Sequence, residues 1–145
     1  MNAEIDNLTM EETLQVVDIL IQKQKNAYVV TPNVDHIVKL ESNENLKKAY
    51  SEADLILADG KPLIWVSKIY RKPIKEKISG SDLFPELCKH SAKKNYKMFF
   101  LGAKEGVAAK AAEKLKEKYK GLEIVGCYSP PMGFENDSVE LDKIT

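Results

Sequence analysis

Short apolar runs alternate along this chain with longer stretches in which apolar residues recur every three or four positions. The short runs are typical of buried strands, and the periodic stretches are typical of amphipathic helices. We predict strands at 27–31, 54–58, 97–101 and 122–128. Helices are predicted at 9–25, 45–52, 62–70, 82–94 and 107–119, together with one whose apolar face carries Ile37, Val38 and Leu40.

This alternation of strands and helices predicts a parallel sheet covered on both faces. The expected fold class is therefore α/β, a Rossmann-like three-layer domain with a mainly parallel sheet flanked by helices. A chain of 145 residues is long enough for one such domain with its own core, which we place at 1–145. Thr9 and Glu12 are predicted to form a capping box at the start of the first helix. The helix at 62–70 is predicted to be largely buried, with Trp65 in the core.

Polar side chains follow the first two predicted strands, at the point where each strand ends. Thr31 and Asn33 come after the first strand, and Asp59 comes after the second. Ligands of open α/β sheets bind at the carboxyl ends of the strands, and right-handed crossovers bring these ends to one rim. We expect the three side chains to meet there with residues that follow the third and fourth strands, namely Gly102, Gly133 and Phe134.

Each of these residues also has a purely structural interpretation. Asp-Gly is common turn chemistry, so a turn explains Asp59 as well as a general base that takes a proton from a hydroxyl. Asn33 could cap the helix that follows it, and Thr31 could simply end its strand. The loop at Gly102 resembles a phosphate-binding helix start but lacks the complete GxGxxG pattern, and its glycines also suit a tight turn.

The composition argues against several classes of function. Lysine plus arginine and aspartate plus glutamate both number 22, and Arg71 is the only arginine, which argues against a nucleic-acid surface. Cys88 and Cys127 match neither a disulfide framework nor, with His36 and His90, the spacing of a zinc site. No metal is therefore expected, and two free thiols suit the reducing cytoplasm. No apolar run approaches the roughly 20 residues that span a bilayer.

Six short motifs occur in order along the chain. They are Ile5-Asp6-Asn7-Leu8-Thr9, Thr31-Pro32-Asn33, Ala58-Asp59-Gly60, Glu76-Lys77-Ile78-Ser79-Gly80-Ser81-Asp82-Leu83, Leu101-Gly102-Ala103 and Ser129-Pro130-Pro131-Met132-Gly133-Phe134. In this order and spacing they resemble the TagA/WecG/CpsF family of bacterial glycosyltransferases. The resemblance covers nearly all of the chain, as the N-terminal part of the family's domain.

The resemblance implies an inverting, metal-independent transfer of a sugar from a UDP-sugar to an undecaprenyl-diphosphate-linked acceptor, with no cofactor and no nucleic acid. The sugar implied is N-acetylmannosamine, the acceptor carries N-acetylglucosamine, and the product is wall teichoic acid or a related cell-surface polysaccharide. By the same resemblance, Asp59 would deprotonate the acceptor hydroxyl, and Thr31 and Asn33 would line its pocket. The residues implied near the nucleotide are Gly102, Gly133 and Phe134.

Two departures from the family pattern bear on these expectations. Lys77 stands where the family usually has an arginine. The lysine keeps the positive charge but lacks the planar guanidinium group that could hold a diphosphate through two hydrogen bonds. The family's later half, with its basic membrane-contacting appendage, is absent from the chain. The resemblance implies a cytoplasmic protein, peripheral at the inner face of the bacterial membrane, that could form a homo-oligomer. The competing hypotheses are a non-catalytic nucleotide-sugar-binding module and an inactive truncated family member.

Overall fold

The computed structural model describes residues 5–24 and 26–144. It divides into two compact units, and the boundary lies between Pro85 and Glu86. The elements in chain order are α1 (Met10–Gln22), β1 (Val29–Val30), α2 (Val34–Leu40), α3 (Glu44–Ser51), β2 (Leu55–Ile56), α4 (Lys61–Ile69), α5 (Gly80–Lys94), β3 (Lys97–Leu101), α6 (Val107–Lys118), β4 (Glu123–Tyr128), a 3-10 turn (Phe134–Asn136) and α7 (Ser138–Ile144).

In the first unit, β1 and β2 pair in parallel, with Val29 opposite Leu55 and Val30 opposite Ile56. Backbone hydrogen bonds continue the pairing beyond these short strands, because the Asp54 amide donates to the Tyr28 carbonyl (3.0 Å) and the Leu57 amide donates to the Val30 carbonyl (2.9 Å). Leu57 is fully buried. The predicted strands at 27–31 and 54–58 are therefore extended and paired segments, of which only the centres have regular strand geometry.

The start of α1 follows from its sequence. The Thr9 hydroxyl accepts a hydrogen bond from the Glu12 amide (3.2 Å), and the Glu12 carboxylate accepts one from the Thr9 amide (2.7 Å). This is the predicted capping box, which satisfies two amides that the helix itself leaves unpaired. The helix ends at Gln22, and its predicted end at Lys25 lies outside the described residues.

The prediction that α4 is largely buried is wrong. Leu63 is its one buried residue among those described, whereas Trp65 is 63% and Ile69 is 78% exposed. The run 62–66 is almost continuously apolar, so it carries no periodicity that would tell the inner face of the helix from the outer one. Trp65 therefore lies on the surface and not in the core.

In the second unit, β3 and β4 form another parallel pair, in register from Lys97 opposite Glu123 to Leu101 opposite Tyr128. An irregularity between Met98 and Phe99 shifts the register. A small apolar core lies against this pair and draws on α5, α6 and the residue before β4. It comprises Cys88, Phe100, Ala108, Ala112 and Leu122.

The predicted fold class is confirmed. The described residues form a mixed α/β structure in which both strand pairs are parallel and helices connect the strands, as in Rossmann-like folds. The four predicted strands occupy two two-stranded sheets, with the order β1-β2 and β3-β4. Over the described residues, no helix combines the length and apolarity needed to cross a membrane.

We expect Gly121→Ala to destabilise the second unit. Gly121 has a φ of +89°, and an added Cβ would lie 3.3 Å from the Ala92 carbonyl oxygen. A left-handed backbone costs a residue with a Cβ about 1–2 kcal/mol, and the close contact adds to that cost. Urea unfolding followed by far-ultraviolet circular dichroism measures the loss.

Gly106→Ala is the matched control, because Gly106 has a φ of +77° but no atom within 4 Å of an added Cβ. It should lose free energy of unfolding through backbone strain alone. Equal losses in the two variants would show that the Ala92 contact contributes nothing.

Candidate functional site

The site begins where β1 and β2 end. The Asp59 amide donates a hydrogen bond to the Pro32 carbonyl oxygen (3.1 Å), which continues the parallel pairing by one more step. This bond places the segment Thr31–Asn33 beside Asp59 at the carboxyl end of the pair. The structure therefore brings together the polar residues that the sequence predicts to meet at the ends of the first two strands.

Gly60 makes the turn that follows Asp59. It has a φ of +105°, a conformation that side-chain-bearing residues rarely adopt, and it is the residue before α4. Pro62 lies at the start of that helix, where its fixed φ is favourable. Asp59 is only partly buried, and it directly follows the buried segment 55–58.

Asn33 does cap α2, as its structural interpretation proposed. Its side-chain Oδ1 accepts a hydrogen bond from the His36 amide (3.0 Å). The cap uses the oxygen only, and in the part of the chain that the structure describes the Nδ2 amide group has no partner. Capping and ligand binding are therefore compatible at this residue, because they use different atoms.

A third segment, 77–82, lies against the ends of both strands. The Ile78 amide donates to the Ala58 carbonyl oxygen (2.9 Å), and Ile78 is buried. At the start of α5, a Cβ on Gly80 would lie 3.6 Å from the Thr31 hydroxyl oxygen. The Thr31 hydroxyl thus lies beside the beginning of α5.

Lys77, Ser79 and Asp82 form a polar network in this segment. The Lys77 ammonium contacts the Asp82 carboxylate at 2.5 Å. The Ser79 hydroxyl donates to the same carboxylate (2.6 Å), and the Ser79 amide does so at 3.3 Å. Because Ser79 is buried, its bonds to Asp82 fix the start of α5.

These contacts shift the pKa values of both charged partners. The hydrogen bond from Lys77, followed by those from Ser79, lowers the pKa of Asp82 from 3.8 to about 2. The hydrogen bond to Asp82 raises the pKa of Lys77, and the negative charges of Asp82 and Asp59 raise it further. Lys77 is connected to the other residues of the site through the backbone, because the amide of the next residue, Ile78, bonds to the carbonyl oxygen of Ala58, the residue before Asp59.

The remaining predicted site residues belong to the second unit. The Gly102 amide donates to the Tyr128 carbonyl oxygen (2.8 Å), and the Ser129 hydroxyl donates to the Gly102 carbonyl oxygen (3.3 Å). Gly102 has a φ of +109° and no atom within 4 Å of an added Cβ. The ends of β3 and β4 are thus adjacent, with open space above Gly102.

Gly133 and Phe134 follow β4 at a greater distance along the chain. Gly133 has a φ of +82° and precedes the short 3-10 turn, which begins at Phe134. Phe134 is partly buried, and its amide donates to the Pro131 carbonyl oxygen (3.2 Å). That these residues and Gly102 share one site with Asp59 stays a prediction.

Two features of the site were missed in the sequence, although both left a signal. Ser79-Gly80-Ser81-Asp82 has the S-x-x-D spacing of a capping box, and the structure shows that Ser79 and Asp82 cap α5 in this way. The aspartate of this pattern is also the partner of Lys77. Within the described ranges, no group of three or more histidine, cysteine, aspartate or glutamate side chains could hold a metal ion.

We expect the Asp82 carboxyl to titrate near pH 2 in the folded chain. Its pKa is lower in the folded chain than its ordinary value of 3.8. The charged form therefore stabilises the fold, and this stabilisation is fully present above the ordinary pKa. This contribution is lost as the pH falls through about 2. Lys77→Met should raise the Asp82 pKa, which NMR of the side-chain carboxyl carbons measures directly.

Lys75→Met is the matched control for this titration. Lys75 contacts the Glu12 carboxylate at 2.8 Å and lowers the pKa of that residue, so its loss should shift Glu12 and leave Asp82 unchanged. An Asp82 pKa near 3.8 in the parent chain, or an equal shift in both variants, would contradict the assignment of Lys77 as its partner.

Comparison with known proteins supports the resemblance found in the sequence. The model of the glycosyl transferase WecG/TagA/CpsF family matches residues 1–145. An N-acetylglucosaminyldiphosphoundecaprenol N-acetyl-beta-D-mannosaminyltransferase of Bacillus spizizenii is 36% identical over 125 residues, which cover 86% of this chain and 48% of the relative. A protein of the same name from Staphylococcus aureus NCTC 8325 is 24% identical over 124 residues, which cover 84% of this chain and 49% of the relative.

The chain therefore spans about half the length of the curated relatives that it matches. The motifs that carry the resemblance include the segments that meet at Asp59, namely 31–33, 58–60 and 76–83. With the family model matched along the whole chain, the protein belongs to the WecG/TagA/CpsF family of glycosyl transferases.

Proposed function

We propose that this chain is part of an inverting, metal-independent glycosyltransferase that transfers N-acetylmannosamine from a UDP-sugar to undecaprenyl-diphosphate-linked N-acetylglucosamine. The product would enter wall teichoic acid or a related cell-surface polysaccharide. The names of the relatives support the transferred sugar and the acceptor. The observation that carries the proposal is the hydrogen bond from the Asp59 amide to the Pro32 carbonyl, because it gathers a carboxylate and two polar side chains at one strand end.

Asp59 is proposed as the general base. Its carboxylate takes the proton of the acceptor hydroxyl while the hydroxyl oxygen forms a bond to the anomeric carbon of the donor sugar. The bond from that carbon to the diphosphate oxygen breaks on the opposite side, and UDP leaves with the electron pair. A single displacement of this kind inverts the configuration at the anomeric carbon. General base catalysis typically contributes about 10²–10⁴ in rate.

Lys77 is proposed to stabilise the negative charge that develops during the reaction. Its pKa is raised by the hydrogen bond to Asp82 and by the nearby charges of Asp82 and Asp59, so it stays protonated throughout the neutral range. A fixed cation at this position would stabilise the negative charge that develops on the leaving diphosphate. Asp82 and Ser79 act as positioning residues, because they hold the lysine and not the substrate.

Thr31 and Asn33 are proposed to bind the sugar or the diphosphate. The Thr31 hydroxyl lies beside the start of α5, and the Asn33 Nδ2 group remains available after the oxygen has capped α2. Both supply hydrogen-bond donors, which phosphate and carbonyl oxygens require. Gly102, Gly133 and Phe134 are proposed to lie near the nucleotide, where glycine without a Cβ lets a ligand approach the backbone.

The remaining proposals concern the whole protein. Because the acceptor is anchored in a lipid, we place the protein at the cytoplasmic face of the bacterial membrane as a peripheral protein. The part of the relatives that this chain does not span is proposed to add nucleotide contacts and membrane contacts. A homo-oligomer is also proposed.

We expect Asp59→Asn to abolish transfer and to leave donor binding intact. The assay uses the 145-residue chain alone and fused to the part of the Bacillus relative that the match leaves uncovered. UDP release in the presence of an acceptor analogue should fall by about 10²–10⁴-fold, because the amide cannot accept the proton. Isothermal titration calorimetry should give the same dissociation constant for the UDP-sugar before and after the substitution.

Asp142→Asn is the matched control, since Asp142 is an exposed carboxylate on α7. It should change neither quantity. Unchanged UDP release in Asp59→Asn would reject the base role. Binding of the UDP-sugar by the parent proteins without acceptor-dependent release of UDP would favour a non-catalytic binding module instead.

A further inference from the structure

The outer face of α4 carries an unusual apolar stripe. Pro62, Trp65, Val66, Ile69 and Tyr70 follow the spacing i, i+3, i+4, i+7 and i+8, which places them on one face of a helix. This face points away from the core, because Trp65 is 63%, Val66 45%, Ile69 78% and Tyr70 75% exposed. A contiguous exposed apolar stripe of this kind is typical of an interaction surface.

The inner face of α4 carries the contacts that attach the helix to the rest of the chain. Leu63 is buried, and the Ser67 hydroxyl donates to the Ile64 carbonyl oxygen (2.7 Å) and accepts from the Ile74 amide (3.1 Å). Leu63 and the bond from the Ile74 amide mark the side of the helix that faces the rest of the first unit. The outer stripe lies away from these contacts.

Cations lie in the same segment as the stripe, and this segment contains no carboxylate. Lys61, Lys68, Arg71 and Lys72 are all exposed, and 61–75 contains no aspartate or glutamate, although the chain as a whole carries no net charge. Long basic side chains can lay their methylene stems along an apolar surface and extend their charges to either side. The segment thus combines an apolar centre with a positively charged margin.

Arg71 occupies a position that is unfavourable for its backbone. It has a φ of +55° directly after the C-cap Tyr70. The Arg71 amide donates to the Lys68 carbonyl (3.1 Å), and the Lys72 amide donates to the Ser67 carbonyl (2.9 Å). This is the Schellman arrangement, whose left-handed position glycine normally fills. The only arginine of the chain thus stands where glycine would be less strained.

We propose that the outer face of α4, with Trp65, Ile69 and Tyr70 at its centre, is a docking surface for an anionic lipid bilayer. Aromatic residues with an apolar body and a polar tip favour the membrane interface, and clustered lysine and arginine side chains are attracted to anionic headgroups. The choice of a lipid over an acidic protein rests on the proposed function, in which the acceptor is anchored in a membrane. A second copy is disfavoured, because a symmetric contact would bring like charges together.

The experiment uses the single tryptophan of the chain as its own reporter. The 145-residue chain is titrated with vesicles of equal parts phosphatidylglycerol and phosphatidylcholine, in the absence of any sugar substrate. Trp65 emission should shift to shorter wavelength, and brominated lipids should quench it. Pure phosphatidylcholine should give a much smaller shift, and molar NaCl should reverse the binding to anionic vesicles because it screens the charges.

Two sets of variants test the chemistry of the surface. Lys68→Glu with Lys72→Glu should weaken binding to anionic vesicles at least tenfold, whereas Lys110→Glu with Lys114→Glu, a pair of the same spacing on α6, should leave it unchanged. Arg71→Gly should weaken vesicle binding but leave the unfolding midpoint at least as high, because glycine relieves the left-handed strain. If Arg71 had only a structural role, the substitution would change vesicle binding and the unfolding midpoint together.

Several outcomes would overturn the proposal. These are no emission shift with anionic vesicles, an equal response to the α4 and α6 pairs, or a concentration-dependent shift without lipid, which would assign the surface to a second copy. Capture of an acidic protein without any vesicle binding would assign it to a protein partner. The vesicle titration contains no sugar, so it does not depend on sugar transfer. Asp59→Asn should therefore bind vesicles as the parent chain does, and a failure of the proposed function would not change this result.

Discussion

The parallel pairing of the segments 28–32 and 54–59 is the constraint on which the candidate site depends. The bonds at its two ends, from Asp54 to Tyr28 and from Asp59 to Pro32, fix the register of the whole pair. A slip by one residue would turn every side chain to the other face of the sheet. Because Leu55, Ile56, Leu57 and Ala58 are all buried, such a slip would force both faces of this segment to repack, so its packing also determines the position of Asp59.

The first unit adds charge to this framework through local bonds. Ser79 and Asp82 cap α5, and the same carboxylate holds Lys77. One aspartate therefore starts a helix and orients a cation whose pKa is also raised by the charge of Asp59. The arginine expected from the family pattern could grip a diphosphate with two parallel bonds, whereas the lysine offers a compact charge that depends on its neighbours for direction.

Some of these features could be predicted from the sequence and others could not. Thr9 and Glu12 define the start of α1 because a capping box involves only residues three apart, and the fold class follows from the alternation of elements. The orientation of α4 could not be predicted, because Leu63 and Ile64 on one side are as apolar as Trp65 and Val66 on the other. Only the contacts made by distant segments decide between two such faces. The short regular centres of β1 and β2 likewise reflect backbone geometry that residue types do not encode.

The cap at Asn33 has a consequence for how strongly the site can hold a ligand. Because Oδ1 is already bonded to the His36 amide, the side chain has lost its rotational freedom before any ligand arrives. Ordering a free side chain on binding costs about 0.5–1.5 kcal/mol. At Asn33 that entropy is given up when the chain folds, so the Nδ2 donor is preorganised, and a hydrogen bond that it donated to a ligand would contribute more fully to affinity.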